Sequence, residues 1–534
     1  MLRIVFSAAF LFCATSFALT IESAELVVNP SGRVPLSAVL NCRTDVPTLV
    51  MLHIQFQDGK VRTVEETKAL ADHSLAVLGL ESNRTHRIHA VLTDESGATA
   101  TTDVFEIKTD PLPATFPLLR VNTALPRRME PGITLIPTTK WPDRGQPDRT
   151  FGLILGVDAQ GDVVWYYQSD HNIAAIEQLS NGNLLYHHGR KGNVVEIDFL
   201  GNVINHWYAR RMRTENIPGA IPIDTDTIHH DVQEIHNGNF LAISTEVRHF
   251  DSFPGSETDP DAPWQPAFVI GDVIIEYQPD GTVLNRWPLL DMLDCFRLGY
   301  DSLDSGFWYD VYNHTNLGSR AYDWSHANSI YYDSTDDTII VSVYHQDAVF
   351  KFSRKTGKLD WIISFPTGWR EPWKNYLLYP VGDGMYPAHE HAAKVTPQGT
   401  ILMFDNGTHR ARPFDTKRAA RDNFSRAVEY EVNRETMEFK QVWSYGGPEH
   451  EIFFSPFLGD TDWLPKTGNI LITNGGGVRA PDGSNANHPA NGRKWAHIME
   501  VTHDQPATKV FDLVIHDPKS GWTVYRAERI SGLY

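Results

Sequence analysis

Apolar and polar residues alternate with a period of two through much of the chain, and the runs are short. Leu52-His53-Ile54-Gln55-Phe56-Gln57 is one of them, closed by Asp58-Gly59. A period of two puts successive side chains on opposite faces of a strand, and Gly, Asp and Asn at the breaks are turn formers. The pattern predicts an all-β protein. Over residues 19–113 it reads as a small β-sandwich with turns at Asp58-Gly59 and Glu95-Ser96-Gly97, followed by a stiff joint at Asp110-Pro111-Leu112-Pro113. The domain boundary is expected there, with a second domain over 114–534.

Beyond the joint one unit recurs: an apolar strand, a turn usually carrying Gly, a second strand, and a Trp. The copies run from Ile154 to Trp165, Val194 to Trp207, Ile274 to Trp287 and Val349 to Trp361, with weaker ones from Val428 to Trp443 and from Ile498 to Phe511. Between them lie hairpins such as Asn181-Gly182-Asn183, Asn237-Gly238-Asn239, Gln398-Gly399 and Thr467-Gly468-Asn469. Two hairpins per unit make four strands, and six such units at a spacing of about 69 residues predict a six-bladed β-propeller in preference to two stacked sandwiches. Five of the 14 Trp stand at the repeat position and are expected in the blade cores. Asn474-Gly475-Gly476-Gly477 lacks the Lys-Ser/Thr of a phosphate loop and is read as a turn. In the first domain Leu78-Gly79-Leu80, Thr85-His86-Arg87-Ile88 and Asp94-Glu95-Ser96-Gly97 resemble a fibronectin type III module.

Composition narrows the function classes. Of 534 residues, 41% are hydrophobic and 21% charged, so the chain can bury a large core; the net charge is -19, with no basic stripe to meet a phosphate backbone. Nucleic acid is excluded as a partner. Residues 1–18 read as a secretory signal peptide, with Arg3, the apolar stretch from Ile4 to Phe17, and Ser16-Phe17-Ala18 as the cleavage site. No later segment is long and apolar enough to span a bilayer, so a periplasmic or secreted protein is expected. Cys42 and Cys295 remain after the leader that carries Cys13, too few for a disulfide framework or a Cys-based metal site. They are read as one interdomain bridge or two free thiols.

The chemistry gathers on histidine. His229-His230-Asp231, His326-Ala327-Asn328 and His389-Glu390-His391 each stand before an inner hairpin, and His230 and His391 both lie eight residues ahead of the hairpin Gly. Equivalent positions on successive blades converge on the central channel, so three imidazoles should meet there. Imidazole at neutral pH serves as nucleophile, base or uncharged donor, and the adjoining Asp231, Asn328 and Glu390 are groups that fix tautomers.

These segments carry a resemblance. His229-His230-Asp231, Asp323-Trp324-Ser325-His326-Ala327-Asn328-Ser329-Ile330, and Glu390-His391-Ala392-Ala393 leading to Phe404-Asp405-Asn406-Gly407 resemble the bacterial arylsulfate sulfotransferases over nearly the whole chain. The resemblance implies a propeller with a small N-terminal β domain. It also implies transfer of a sulfuryl group from an aryl sulfate donor to a phenolic acceptor, without nucleotide, cofactor or metal. By that likeness His391 is the transiently sulfated residue, His230 or His326 the acid and base, and Asn328 with the histidines the donors to the sulfuryl oxygens. A homodimer is a further implication.

Two departures stand out. Glu390 occupies a place where the family has Gln, and Ser342-Val343-Tyr344-His345-Gln346 has Tyr344 where the family has Arg. A Tyr offers one neutral hydrogen bond in place of a bidentate charged one, so His345 and Arg410 are the cations expected to compensate. Two other readings remain: a metal-dependent hydrolase or lyase using His389, His391, His230 and Asp231, and a non-catalytic propeller binding glycans or an aromatic ligand.

Overall fold

A computed structural model describes residues 18–141, 151–189, 192–213, 215–312, 321–382, 384–517 and 521–534. Residues 1–17, with Cys13 and nearly all of the expected leader, lie outside them. No described helix is long and apolar enough to cross a membrane. The chain divides into two units, one holding the residues up to 30, 35–111 and Tyr534, the other 31–34 and 112–533.

In the first unit six strands form one hydrogen-bonded system. The long strand Ala38–Gln55 connects it, pairing through its first half with Ile21–Val28 and through its second half with Thr85–Asp94. Val50, Leu52 and Ile54 are buried along its second half, opposite Ile88, Ala90 and Leu92, as the alternating pattern requires. Cys42 is buried here, and both Cys42 and Cys295 are free thiols.

The second unit contains six sheets of four or five strands. Contacts between the inner strands pass from each sheet to the next and return to the first, so the sheets close a ring, the arrangement of a β-propeller. Both ends of the unit help close it. Leu118–Ala124 adds a strand to the last sheet beside Lys509–His516, and the C-terminal strands Trp522–Val524 and Glu528–Ile530 add to the first beside Ile133–Lys140.

The repeat has a physical explanation. In the outer hairpins Trp165, Trp361, Trp443 and Phe511 directly follow the bulge, Trp207 and Trp287 stand two residues further on, and all six are buried. Trp165 Nε1 donates to Phe199 O at 2.8 Å and Trp207 Nε1 to Pro279 O at 2.7 Å, each carbonyl lying in a turn of the following sheet. The indole therefore fills one core and ties it to its neighbour. The Asn-Gly-Asn and Thr-Gly-Asn hairpins serve another purpose: Asn183, Asn239 and Asn469 donate to the buried carboxylates of Glu196, Glu276 and Glu500 at 2.6–2.7 Å. The glycine run is not a turn. It lies within the strand Ile470–Arg479, where a Cβ on Gly475 would meet Val524 O at 1.8 Å and one on Gly476 would meet Phe457 O at 2.1 Å.

Candidate active site

Irregular strand starts aim the histidines. His229 pairs with Ile243 and Val232 with Ala242, which leaves His230 and Asp231 unmatched, and His230 has φ 58°. In the next sheet His326 has φ 50° and Asn328 is the unmatched residue. In the one after, the shift falls between His391 and Lys394, with Ala392 at φ 57°. Such bulges re-aim side chains at a rim. The equal spacing of His230 and His391 from their glycines thus conceals an offset of one residue, since the left-handed residue is His230 in one sheet and Ala392 in the other.

The structure brings His230, His326 and His391 into one group, the first and last buried and the His326 side chain 14% exposed. The ring centres of His230 and His326 are 4.8 Å apart, and Phe307 lies 5.4 Å from the first and 4.6 Å from the second. Tyr344 lies 5.6 Å from His326 and 5.4 Å from His391, and Tyr525 lies 6.0 Å from His230 and 6.4 Å from His391. His187 of the preceding sheet reaches Tyr525 at 6.4 Å. His229 backs His230, its ring centre 4.8 Å away, with its Nε2 3.2 Å from Asp272 Oδ1 and its ring against Trp308.

Hydrogen bonds assign the imidazole nitrogens. Asn406 Nδ2 donates to Ser455 O at 2.7 Å and Leu458 O at 2.8 Å, so its Oδ1 must accept from His391 Nδ1, 2.8 Å away. His391 therefore carries its proton on Nδ1 and keeps a lone pair on Nε2. Burial, and beyond it the positive fields of His326 and Arg526, hold His391 low, at about 3, so the ring is neutral. His229 donates through Nε2 to the Ser244 carbonyl at 3.4 Å, so its Nδ1 accepts from His230 Nδ1 at 2.5 Å, leaving a lone pair on His230 Nε2. Burial and the surrounding histidines keep His230 well below the ordinary value.

His326 differs from both. Burial would lower its pKa, but Asp323 Oδ2 at 2.5 Å from Nδ1 outweighs that and raises it. Of the three rings it is the one whose cationic form is favoured. Asp323 is itself held low against burial by His326 and His345, and it receives Trp308 Nε1 at 3.0 Å.

The other expected residues take different parts. Asn328 Nδ2 donates to Glu390 O at 2.7 Å, which fixes the segment entering His391. The Tyr344 hydroxyl donates to Pro456 O at 2.6 Å, so its ring and not its one donor faces the histidines. His345 stacks on His326 at 4.6 Å and donates Nδ1–H to Asp323 O at 2.6 Å. Arg410 is turned elsewhere: its guanidinium meets Asp405 Oδ2 at 3.2 Å, Phe424 O at 3.0 Å and the Phe424 ring. It does not compensate for the missing Arg. Glu390 is buried with neither oxygen hydrogen-bonded; burial and the neighbouring Asp347 push its pKa well above the ordinary value, so it is neutral. The metal set of His389, His391, His230 and Asp231 is not assembled. The Tyr344 ring makes contact with both His389 and His391, and Asp231 accepts from Arg526 and Ile330 N–H.

The cation that the pattern along the chain did not reveal is Arg526. Its side chain is 12% exposed; it donates Nη1–H to Asp231 Oδ1 at 2.9 Å, lies over Tyr525 at 5.2 Å, and has a buried Nε without a partner. The flanking carboxylates of Asp231 and Asp460 outweigh burial and keep it charged.

The family model for arylsulfotransferase (ASST) matches residues 120–526, and that for the arylsulfotransferase Ig-like domain matches residues 25–110. The chain belongs to the arylsulfotransferase family. Among curated proteins it is similar to arylsulfate sulfotransferase AssT of Escherichia coli O6:H1 (strain CFT073), 28% identical over 295 residues, 48% of this chain and 47% of that one. It is also 30% identical over 224 residues to AssT of Lelliottia amnigena, covering 35% and 36% of the two chains. These alignments span about half the relatives' length or less. Among solved structures, a virginiamycin B lyase from Staphylococcus aureus matches over 76% of this chain and 99% of that one, at 9% identity and a TM-score of 0.30. Both ends of the site in this arylsulfotransferase-family chain, from His230 to Arg526, fall within the matched region.

Proposed function

We propose that the chain is an exported aryl sulfotransferase that moves a sulfuryl group from a phenolic sulfate ester to a phenol in two steps through a sulfated His391. The observation that carries this reading is the Asn406 clamp on His391 Nδ1, which leaves a neutral imidazole with its Nε2 lone pair in the histidine group. In the first step Nε2 attacks sulfur, the S–O(aryl) bond breaks, and the departing phenolate takes the Nε2 proton of cationic His326. In the second step the acceptor phenol returns a proton to His326 and its oxygen attacks sulfur, breaking the N–S bond. His230 Nε2, a lone pair, offers the incoming phenol a hydrogen-bond acceptor before that proton passes to His326. Arg526 and cationic His326 balance the sulfuryl charge, while Phe307 and Tyr525 offer faces to the aromatic ring. The test is steady-state transfer from 4-nitrophenyl sulfate to a phenol. Parallel double-reciprocal lines support the two-step scheme, and absence of transfer with every aryl sulfate tried rejects the activity.

The His326–Asp323 pair makes a separate prediction. With its raised pKa His326 is an acid at low pH and loses that function as pH rises through the pKa. Asp323→Asn removes the carboxylate that opposes burial, so the alkaline limb of kcat/KM should move to lower pH, with the larger loss for donors whose phenolate is a poor leaving group. An unshifted limb would exclude His326 as the acid.

A further inference from the structure

Beside the sulfuryl site, on the His389 side of the Tyr344 ring, lies a cluster that the reaction does not use. His409 Nε2 is 2.9 Å from Asp301 Oδ2, and His389 Nε2 is 3.7 Å from the same oxygen. One ligand atom from each of the three residues lies within 4.8 Å of the others. His389 is fully buried, its Nε2 makes no well-directed hydrogen bond, and His409 Nδ1 is likewise buried without a partner. All three residues hold left-handed backbone: Asp301 at φ 68°, His389 at 55° and His409 at 62°. Three such conformations at one point, in residues other than Gly, are costly and concentrate where side chains must converge. Behind His389, Asp347 Oδ1 stands 2.8 Å from Nδ1, the placement of a carboxylate that orients a metal-bound imidazole from its far side.

We propose that Asp301, His389 and His409 bind one divalent transition-metal cation of the Zn2+ class. Two imidazole nitrogens and one carboxylate oxygen suit a borderline cation better than Ca2+ or Mg2+, which prefer oxygen throughout. The bound ion ties three separate chain segments together beside His391, two residues along from His389. Its role is positional and the sulfuryl chemistry does not pass through it. One cation stands in competition: Lys417 Nζ lies 2.9 Å from Asp301 Oδ1 and 3.5 Å from His409 Nε2. Its side chain is 36% exposed, so it can withdraw into solvent when the ion enters.

The test uses the full chain, stripped with a chelator and titrated with Zn2+ by calorimetry, with Co2+ absorption as a second readout. The expected result is one ion per chain and a Co2+ spectrum of low-coordinate nitrogen and oxygen ligation. Asp301→Asn and His409→Ala should each weaken binding roughly 10- to 100-fold, and Lys417→Ala should tighten it. Circular dichroism identifies any variant that fails to fold; Lys417→Ala, which removes no ligand, still decides the matter if the others do. No saturable binding, or binding that Lys417→Ala leaves unchanged together with the ligand variants, would overturn the proposal. Since the readout is ion binding, the result is separable from the fate of the sulfotransferase reading.

Discussion

His391→Ala should lower sulfotransfer by roughly 10⁴-fold or more, because it removes the only attacking atom that the scheme provides. The geometry makes this more specific than a loss on deleting any buried residue. Asn406→Leu removes the acceptor that holds the proton on Nδ1, so it should also cut kcat while leaving Nε2 present. If His391→Ala folded and retained substantial transfer, another nucleophile or a direct transfer between donor and acceptor would be required.

The second large effect is expected at Arg526. A sulfuryl group carries negative charge through both steps, and the chain as a whole is acidic, with a net charge of -19. The Tyr344 hydroxyl is committed to Pro456 O and Arg410 to Asp405. That leaves Arg526, whose field reaches His391, as the permanent positive charge of the site. Arg526→Gln should lower kcat/KM by roughly 10²- to 10³-fold, the scale of a lost donor to developing charge. Because Arg526 also pairs with buried Asp231, the single change leaves an uncompensated carboxylate and will destabilise the fold as well. The double variant Arg526→Gln/Asp231→Asn separates the two effects. It should recover stability without recovering activity. Full activity in the double variant would show that the arginine serves only the ion pair.

Which parts of this could be read along the chain follows from distance. The buried Trp series and the Asn-Gly-Asn hairpins were legible because a strand's period and a turn's chemistry are local, and the sheets repeat them. The meeting of His230, His326 and His391 was legible for the same reason, though the one-residue offset of their bulges was not, since φ at His230 and Ala392 leaves no mark in composition. Arg526 and Tyr525 were hidden. They lie between the short strands Trp522–Val524 and Glu528–Ile530, and only the closing of the ring by the C-terminus carries them to residues far earlier in the chain. Arg410 shows the opposite case: it follows the Asn406-Gly407 motif closely in sequence, yet its backbone, at φ 39°, leads into the Asp405 and Phe424 cluster. Nearness along the chain was a poor guide there because the segment is not a strand. A charged Glu390 in the place of the family's Gln would repel a sulfate, and burial opposes that charge by pushing its pKa well above the ordinary value.

The central claim is that His391 carries the sulfuryl group between the two half-reactions. It is tested most directly by mixing the protein with an excess of aryl sulfate without acceptor, quenching under conditions that preserve an N–S bond, and mapping the peptides by mass. The account predicts one added sulfuryl group on the peptide containing His391, discharged when a phenol is added before the quench. Turnover with that peptide unmodified, or an adduct on another residue, would contradict it.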